Sequence, residues 1–387
     1  MRKNRPIDAT TSTPAPTPAA PAADTPEQDG PRWHWVVIDT MGDTEPSLIL
    51  DGNVPRNFSR LNRASIARNG TVNRLLPTLV AEVRRTGQTA SKYFPSGPDE
   101  HMQRLIAVPV LGPSGDVHAV AAWAGPLAEP LPRMPIIGAL SWTPSGVVTA
   151  TPPAQFLFRD PSGDLLSGHT IPQMLSHFDI WDDRSTFLAM FNVTKLGAQA
   201  PTDSWCGTAT KTYEDGSPHH LFLAARATGT DTGRVVRAVV ADITGGINPA
   251  RPDLTLAAIR HMPIAPGHAL ALCDLKTGFI HEWLTAPTSP LASWRHHNPE
   301  FSVDDRIAVV TACFDLASGR AETASIRAHV RFSPTSPWIE LIGHWTLLMA
   351  GDRPQALIDI TPLSEISTPV VADCPMCQDM AQHIPAP

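Results

Sequence analysis

Cys374-Pro375-Met376-Cys377 sets two thiolate-forming side chains at i and i+3, the spacing of half a zinc knuckle, and His383 follows shortly after. Two sulfurs so spaced can face one ion from a tight turn. A tetrahedral structural site takes four ligands, however, and the chain holds no second Cys-x-x-Cys and no His-x-x-x-His. Cys374 and Cys377 therefore read three ways: as metal ligands, shared between two chains if metal binds; as a redox-responsive thiol pair; or as part of a plain tail. Cys206 and Cys273 lie in apolar or strand-like surroundings and Cys313 on a helix next to Phe314, where a buried thiol behaves as a small hydrophobe rather than a nucleophile. No Gly-x-Ser-x-Gly, phosphate loop or His-Glu-x-x-His occurs, so no enzymatic machinery is visible.

Aromatic and imidazole groups are the remaining candidates. Ten tryptophans stand against two tyrosines, and core packing accounts for most of them. Trp283 and Trp294 flank Pro287 and Pro290 and are, with Trp123, the candidates for a ligand pocket or an interface. Haem would need a histidine projecting into a dry cavity. Strand alternation turns His118 away from the side of Ala121 and Trp123, and groups His329 with Arg327 and Arg331 opposite Ile326, Ala328 and Val330. His219-His220 and His296-His297 read as loop or cap residues.

The elements that must carry these groups recur. Three pairs of apolar strands close segments of broadly similar length: Leu105 to Leu111 with Val117 to Trp123, Leu221 to Ala227 with Val235 to Ile243, and Ser325 to Phe332 with Trp338 to Leu348. Their connections are drawn from Gly, Pro, Asp, Ser and Thr, as turns between strands require. A strand, a Gly-bearing turn and a second strand open the later two segments, from Ala139 to Val148 and from Ala271 to Ile280, and a looser version opens the first. Helical spacing lies between. Val72, Leu75, Leu76, Leu79, Val80 and Val83 end at Arg84-Arg85 and Gly87, with Pro77 expected to kink that helix or mark its start. Ile171 to Phe178 and Phe187 to Phe191 begin two more helices. Ser302 and Asp305 cap a stripe of Ile307, Val310, Ala312 and Phe314 that stops before Gly319. Strands, helices and a closing antiparallel sheet make each segment α+β.

Composition sets the frame. The chain has 387 residues, 42% apolar and 17% charged, with a formal charge of −7. That balance excludes a broad nucleic-acid surface, which needs clustered cations to displace counterions. Forty prolines gather at the ends and seams. Residues 1–31 form a Pro/Ala/Thr-rich tail too poor in large apolar groups to order. Segments 32–125, 136–245 and 254–363 are three domains, and 364–387 is a flexible tail carrying the Cys-x-x-Cys. The Pro-rich seams at 125–135 and 245–252 are expected to space the domains semi-rigidly. No signal-peptide core or membrane-length apolar run occurs, and the cysteines are few and odd in number, which points to a cytoplasmic protein without membrane insertion.

Two opening strands around a Gly turn, short helices, a helix ending in Thr86-Gly87-Gln88-Thr89 or Ser318-Gly319-Arg320-Ala321, and a closing hairpin resemble PAS and GAF sensor domains. His296-His297-Asn298-Pro299-Glu300 before Asp304-Asp305-Arg306 is similar to the His-Pro-Asp-type helix entry of many PAS domains. Trp35 to Asp43, Ala122 to Pro126, Trp283-Leu284 and Trp294-Arg295 carry a likeness to an actinobacterial family of triple sensor-domain proteins, one GAF-like domain followed by two PAS-like ones with no output domain. The resemblance spans residues 32 to about 363. It implies a non-enzymatic sensor or relay that binds a small ligand or a signalling protein and transmits by domain rearrangement. The first segment lacks a cyclic-nucleotide motif of the Asn-Lys-Phe-Asp-Glu type, and the cofactor is unknown. The alternative is a protein-interaction scaffold of degenerate sensor folds with filled cores.

Overall fold

A computed structural model describes residues 34–96, 101–158, 168–192, 203–230, 233–245, 268–285 and 287–366. Their strands fall into three six-stranded antiparallel sheets in succession. The first holds β1 (Val36–Asp39), β2 (Ser47–Asp51), β3 (Val54–Ser59), β4 (Ala90–Ser96), β5 (His101–Leu111) and β6 (Val117–Pro126), in the order β3-β2-β1-β6-β5-β4. The second holds β7 (Ile137–Trp142), β8 (Val148–Ala150), β9 (Ile180–Trp181), β10 (Ser204–Thr212), β11 (Pro218–Thr230) and β12 (Gly233–Asp242), ordered β8-β7-β12-β11-β10-β9. The third holds β13 (Ala269–Asp274), β14 (Phe279–Trp283), β15 (Glu300–Phe301), β16 (Thr323–Arg331), β17 (Trp338–Met349) and β18 (Gln355–Ile366), ordered β14-β13-β18-β17-β16-β15. In each, the last strand returns to pair with the first, so the opening hairpin sits beside the closing meander.

That order corrects the third repeat. Each expected hairpin forms, but β5–β6 and β11–β12 are the last two strands of their sheets, whereas β16–β17 is followed by β18, which pairs with both β17 and β13. The third pair read from the sequence is thus the counterpart of β10–β11, one strand early. β18 reaches Ile366, past the expected end of the domain.

The helices cover one face of each sheet. Helix α1 (Gly70–Thr86) starts where the Asn69 side chain accepts from Thr71 N and Val72 N, and ends where Gly87, at φ 65°, donates to Val83 O. Val72, Leu76, Leu79, Val80 and Val83 are buried as their spacing requires. Pro77 lies inside this helix on its exposed side and does not mark its start. The second sheet carries α2 (Pro152–Phe158), α3 (Ile171–Leu175) and α4 (Arg184–Ala189). The third carries α5 (Val303–Ala317), entered through Ser302, whose hydroxyl accepts from Asp305 N and donates to Asp305 Oδ2.

The expected apolar stripe on α5 is misphased. Ile307, Val310 and Phe314 are 64%, 61% and 56% exposed, and Val303 joins them at 79%. Cys313 and Leu316 are buried, with Val309 and Ala312 half-buried against the core. Apolar residues occupy so many positions of this helix that two faces compete, and the sheet took the one the sequence reading did not choose.

The first two sheets do not stand apart on a spacer. Their helix-free faces pack together through one apolar layer, in which Val37, Ala119, Ala121 and Trp123 meet Ala139, Phe222, Ala224, Val239 and Ala241. The Pro-rich segment between them is itself anchored, since Trp35 Nε1 donates to Pro132 O at 3.1 Å. The expectation of semi-rigid spacing gives way here to direct sheet-on-sheet burial. Residues 246–252 of the other seam lie outside the described residues.

His118 shows how this layer departs from simple alternation. The β5–β6 register shifts between Val110 and Leu111, so that Ala119 faces Val110 and Val117 faces Leu111, leaving His118 as the extra residue. The bulge turns its ring toward the second sheet, where Nδ1 lies 3.3 Å from Ala238 O with the side chain fully buried. Gly112 makes room, because a Cβ there would stand 2.2 Å from His118 Nε2. His219 and His220 are likewise not loop residues but lie in β11, the first 2.7 Å from Asp242 and the second 3.0 Å from Thr210 Oγ1.

Candidate functional site

A cavity of about 460 Å³ lies between the third sheet and α5. Its inner walls come from Cys273 on β13, Leu341 and Trp345 on β17, Ile358 and Ile360 on β18, and Val309 and Cys313 on α5. Strand alternation explains the grouping. Leu341 and Trp345 share a face of β17, as Ile358 and Ile360 share one of β18. Trp294, 7% exposed, closes one side from a short 3-10 turn (Leu291–Arg295). Polar groups collect at the mouth: Thr277, Asn298, Glu300, Arg306 and, from the second module, Ser145. The size and the apolar lining with few polar groups match small-molecule sites.

The mouth is electrostatically sorted. Glu300 is held by Arg331 through two bonds of 2.8 Å, and the Asp305 carboxylate by Ser302 at 2.6 Å and His329 at 3.0 Å. Thr277 donates to Asp274, which is fully buried and also pairs with Arg353 at 2.7 Å. Arg306 has no ion pair among the described residues. It is the only Lys or Arg within α5, and the sequence reading placed it only in the helix-entry motif, with no role in a site.

Burial disfavours the thiolate form of both cavity thiols. Burial pushes the Cys313 thiol up to about 11, with the nearby Asp274 charge adding to it. Burial also raises Cys273 well above the ordinary thiol range, helped by Cys313 and Asp274. Cys206, outside the cavity, is pushed up to about 12 by burial and then by Asp39.

One wall of the cavity is gripped by the second module. Thr170 N donates to Arg295 O at 3.0 Å and Thr170 Oγ1 to Trp294 O at 3.0 Å, while Arg295 Nε reaches Gln173 Oε1 at 2.8 Å. Asn298 donates to Ser145 O, and Arg184 pairs with Glu282 on β14. Phe191 meets Phe279 edge-on with centroids 5.7 Å apart. The segment 294–298 is therefore at once cavity wall and intermodule contact.

The residues singled out by sequence are dispersed. Trp294 lines the cavity, whereas Trp283 stands behind it, edge-on at 5.4 Å, and does not line the cavity. Trp123 is fully buried in the layer between the first two sheets. Cys374 and Cys377 lie outside the described residues. Among the described residues no group of three His, Cys, Asp or Glu side chains is placed to hold a metal ion, and no helix is long and apolar enough to cross a membrane.

Residues 34–133, the first module, match a family model described as Rv3651-like, N-terminal. The whole arrangement is similar to the crystal structure of an uncharacterised protein from Mycobacterium tuberculosis, with a TM-score of 0.65 and 22% identity over 86% of this chain and 96% of that one. That likeness shows a shared fold. An RNA-binding light-oxygen-voltage receptor aligns over 58% of this chain and 95% of its own, at a TM-score of 0.22 and 10% identity. The periplasmic sensory domain of a Campylobacter jejuni chemoreceptor aligns over 56% and 76%, at 0.16 and 6%. Scores this low carry no argument. No curated protein matches the chain.

Proposed function

We propose that this chain is a cytoplasmic, non-enzymatic sensor and relay protein, built of one GAF-like and two PAS-like modules, whose third module binds a small, mostly apolar ligand. The observation that carries the reading is the cavity of about 460 Å³ whose Trp294 wall is hydrogen-bonded to Thr170 of the second module. A ligand pressing on Trp294 would act on the Thr170 and Gln173 contacts directly. A change of a few kcal/mol in those contacts is enough to shift a two-state population.

The test is a thermal-shift screen of apolar metabolites on the full chain, followed by hydrogen exchange with any compound that stabilises it. The expected result is a raised melting temperature with slowed exchange both around Leu291–Arg295 and around Ile171–Leu175. Stabilisation without any change in the second module would overturn the relay.

One observation favours the scaffold alternative. Val303, Ile307, Val310 and Phe314 form an exposed apolar stripe on α5 with the 4-3-4 spacing of a helix-pairing seam. If no compound binds and a partner protein protects this stripe from exchange, the third module serves as an interaction surface.

A further inference from the structure

The composition of the cavity limits what can fill it, given the reading of that cavity as a ligand site. Its deep end offers aromatic, aliphatic and neutral thiol surface, with the thiols held protonated by burial. A charged or strongly polar group placed there would lose its hydration without gaining a partner. The polar end is different. Of the groups at the mouth, Glu300 is neutralised by its two bonds to Arg331, Asn298 is donating to Ser145 O, and the Thr277 hydroxyl is donating to Asp274. Arg306 alone brings a charge that no described residue answers.

We infer that the ligand is an amphipathic carboxylic acid, with its apolar body against Trp294, Trp345 and Ile358 and its carboxylate on the Arg306 guanidinium. A carboxylate fits better than a phosphate. The planar fork of one arginine matches two oxygens and one negative charge. A phosphate brings up to two charges and three acceptor oxygens, and the remaining donors at the mouth are already engaged. A cationic head would meet Arg306 with no free carboxylate to offset it.

The experiment is isothermal titration calorimetry of the full chain with decanoate, decanol and decylamine, chosen for one alkyl body and three heads. Decanoate should bind at least about tenfold tighter than decanol, the worth of one charge-assisted hydrogen-bonded pair, and decylamine should bind weakest. Arg306→Gln should bring decanoate to the level of decanol and leave decanol unchanged. Arg306 is exposed, so the variant keeps the fold. Arg327→Gln, on the opposite face of the sheet, should retain the preference for the acid. Equal binding of acid and alcohol, or a preference that survives Arg306→Gln, would overturn the assignment while leaving the cavity as a ligand site. Absence of binding by all three would remove both.

Discussion

Arg226 of the second sheet donates its Nε–H to Asp39 of the first at 2.6 Å, across a layer built mostly of apolar side chains. Asp39 is 1% exposed and also accepts from Met41 N at 2.9 Å and Ser47 Oγ at 3.1 Å. The pair is a polar rivet in a hydrophobic joint. Removing one member strands the other charge, which costs far more than the intact pair contributes. Arg226→Met should therefore destabilise the chain by about 3–5 kcal/mol in urea unfolding. Replacing both members, Asp39→Asn with Arg226→Met, should recover part of that loss.

The phase of α5 can be read by truncation. Leu316 is fully buried, so Leu316→Ala should cost about 2–5 kcal/mol. Ile307, 64% exposed, should change stability by about 0.5 kcal/mol or less when replaced by alanine. A reversed order in denaturant midpoints would restore the helix face expected from sequence.

His281 sets a pH dependence whose direction is fixed. Burial, and then the Arg184 charge, lower its pKa from 6.5 to about 4, and its Nε2 lies 2.8 Å from Gln355 Oε1. Because the unfolded chain takes up the proton first, stability falls as pH drops below about 6.5 and has fallen fully below about 4. The loss over that window is on the order of 3 kcal/mol. His281→Gln should flatten unfolding free energy measured across the same window.

The buried thiols make a chemical prediction. With their pKa values raised, Cys206, Cys273 and Cys313 should resist iodoacetamide at pH 8 in the native protein and react in urea. Peptide mapping by mass spectrometry reads each site separately. Rapid native labelling of Cys313 would mean that the cavity opens widely to water.

The period-2 rule carried much of the fold. Ile326, Ala328 and Val330 are buried, and Arg327, His329 and Arg331 lie on the other face as alternation requires. Val72 to Val83 and Gly87 fixed α1 for the same reason, a clean helical stripe with a glycine stop. The misses share a cause, which is that a single sequence does not reveal which of two permitted partners is chosen. His118 escaped because a bulge adds a residue that no alternation pattern registers. β18 was passed over because a strand pair had already been assigned as the end of its repeat. The site was half legible: Trp294 stood out by its neighbouring prolines. Arg306 was legible only as part of a helix entry, because nothing in a single sequence says that it borders a cavity.

The alanines where the first two sheets meet carry a consequence of their own. Ala119, Ala121, Ala139, Ala224 and Ala241 present little more than a methyl group each, which lets the two backbones approach closely. A larger residue at any of them would push against the opposite wall. Substitutions on one wall are therefore constrained by the residues that face it on the other. A recombination crossover in the proline-rich stretch between them would hand each descendant a face without its mate. What evolution can shuffle here is the pair, not either half.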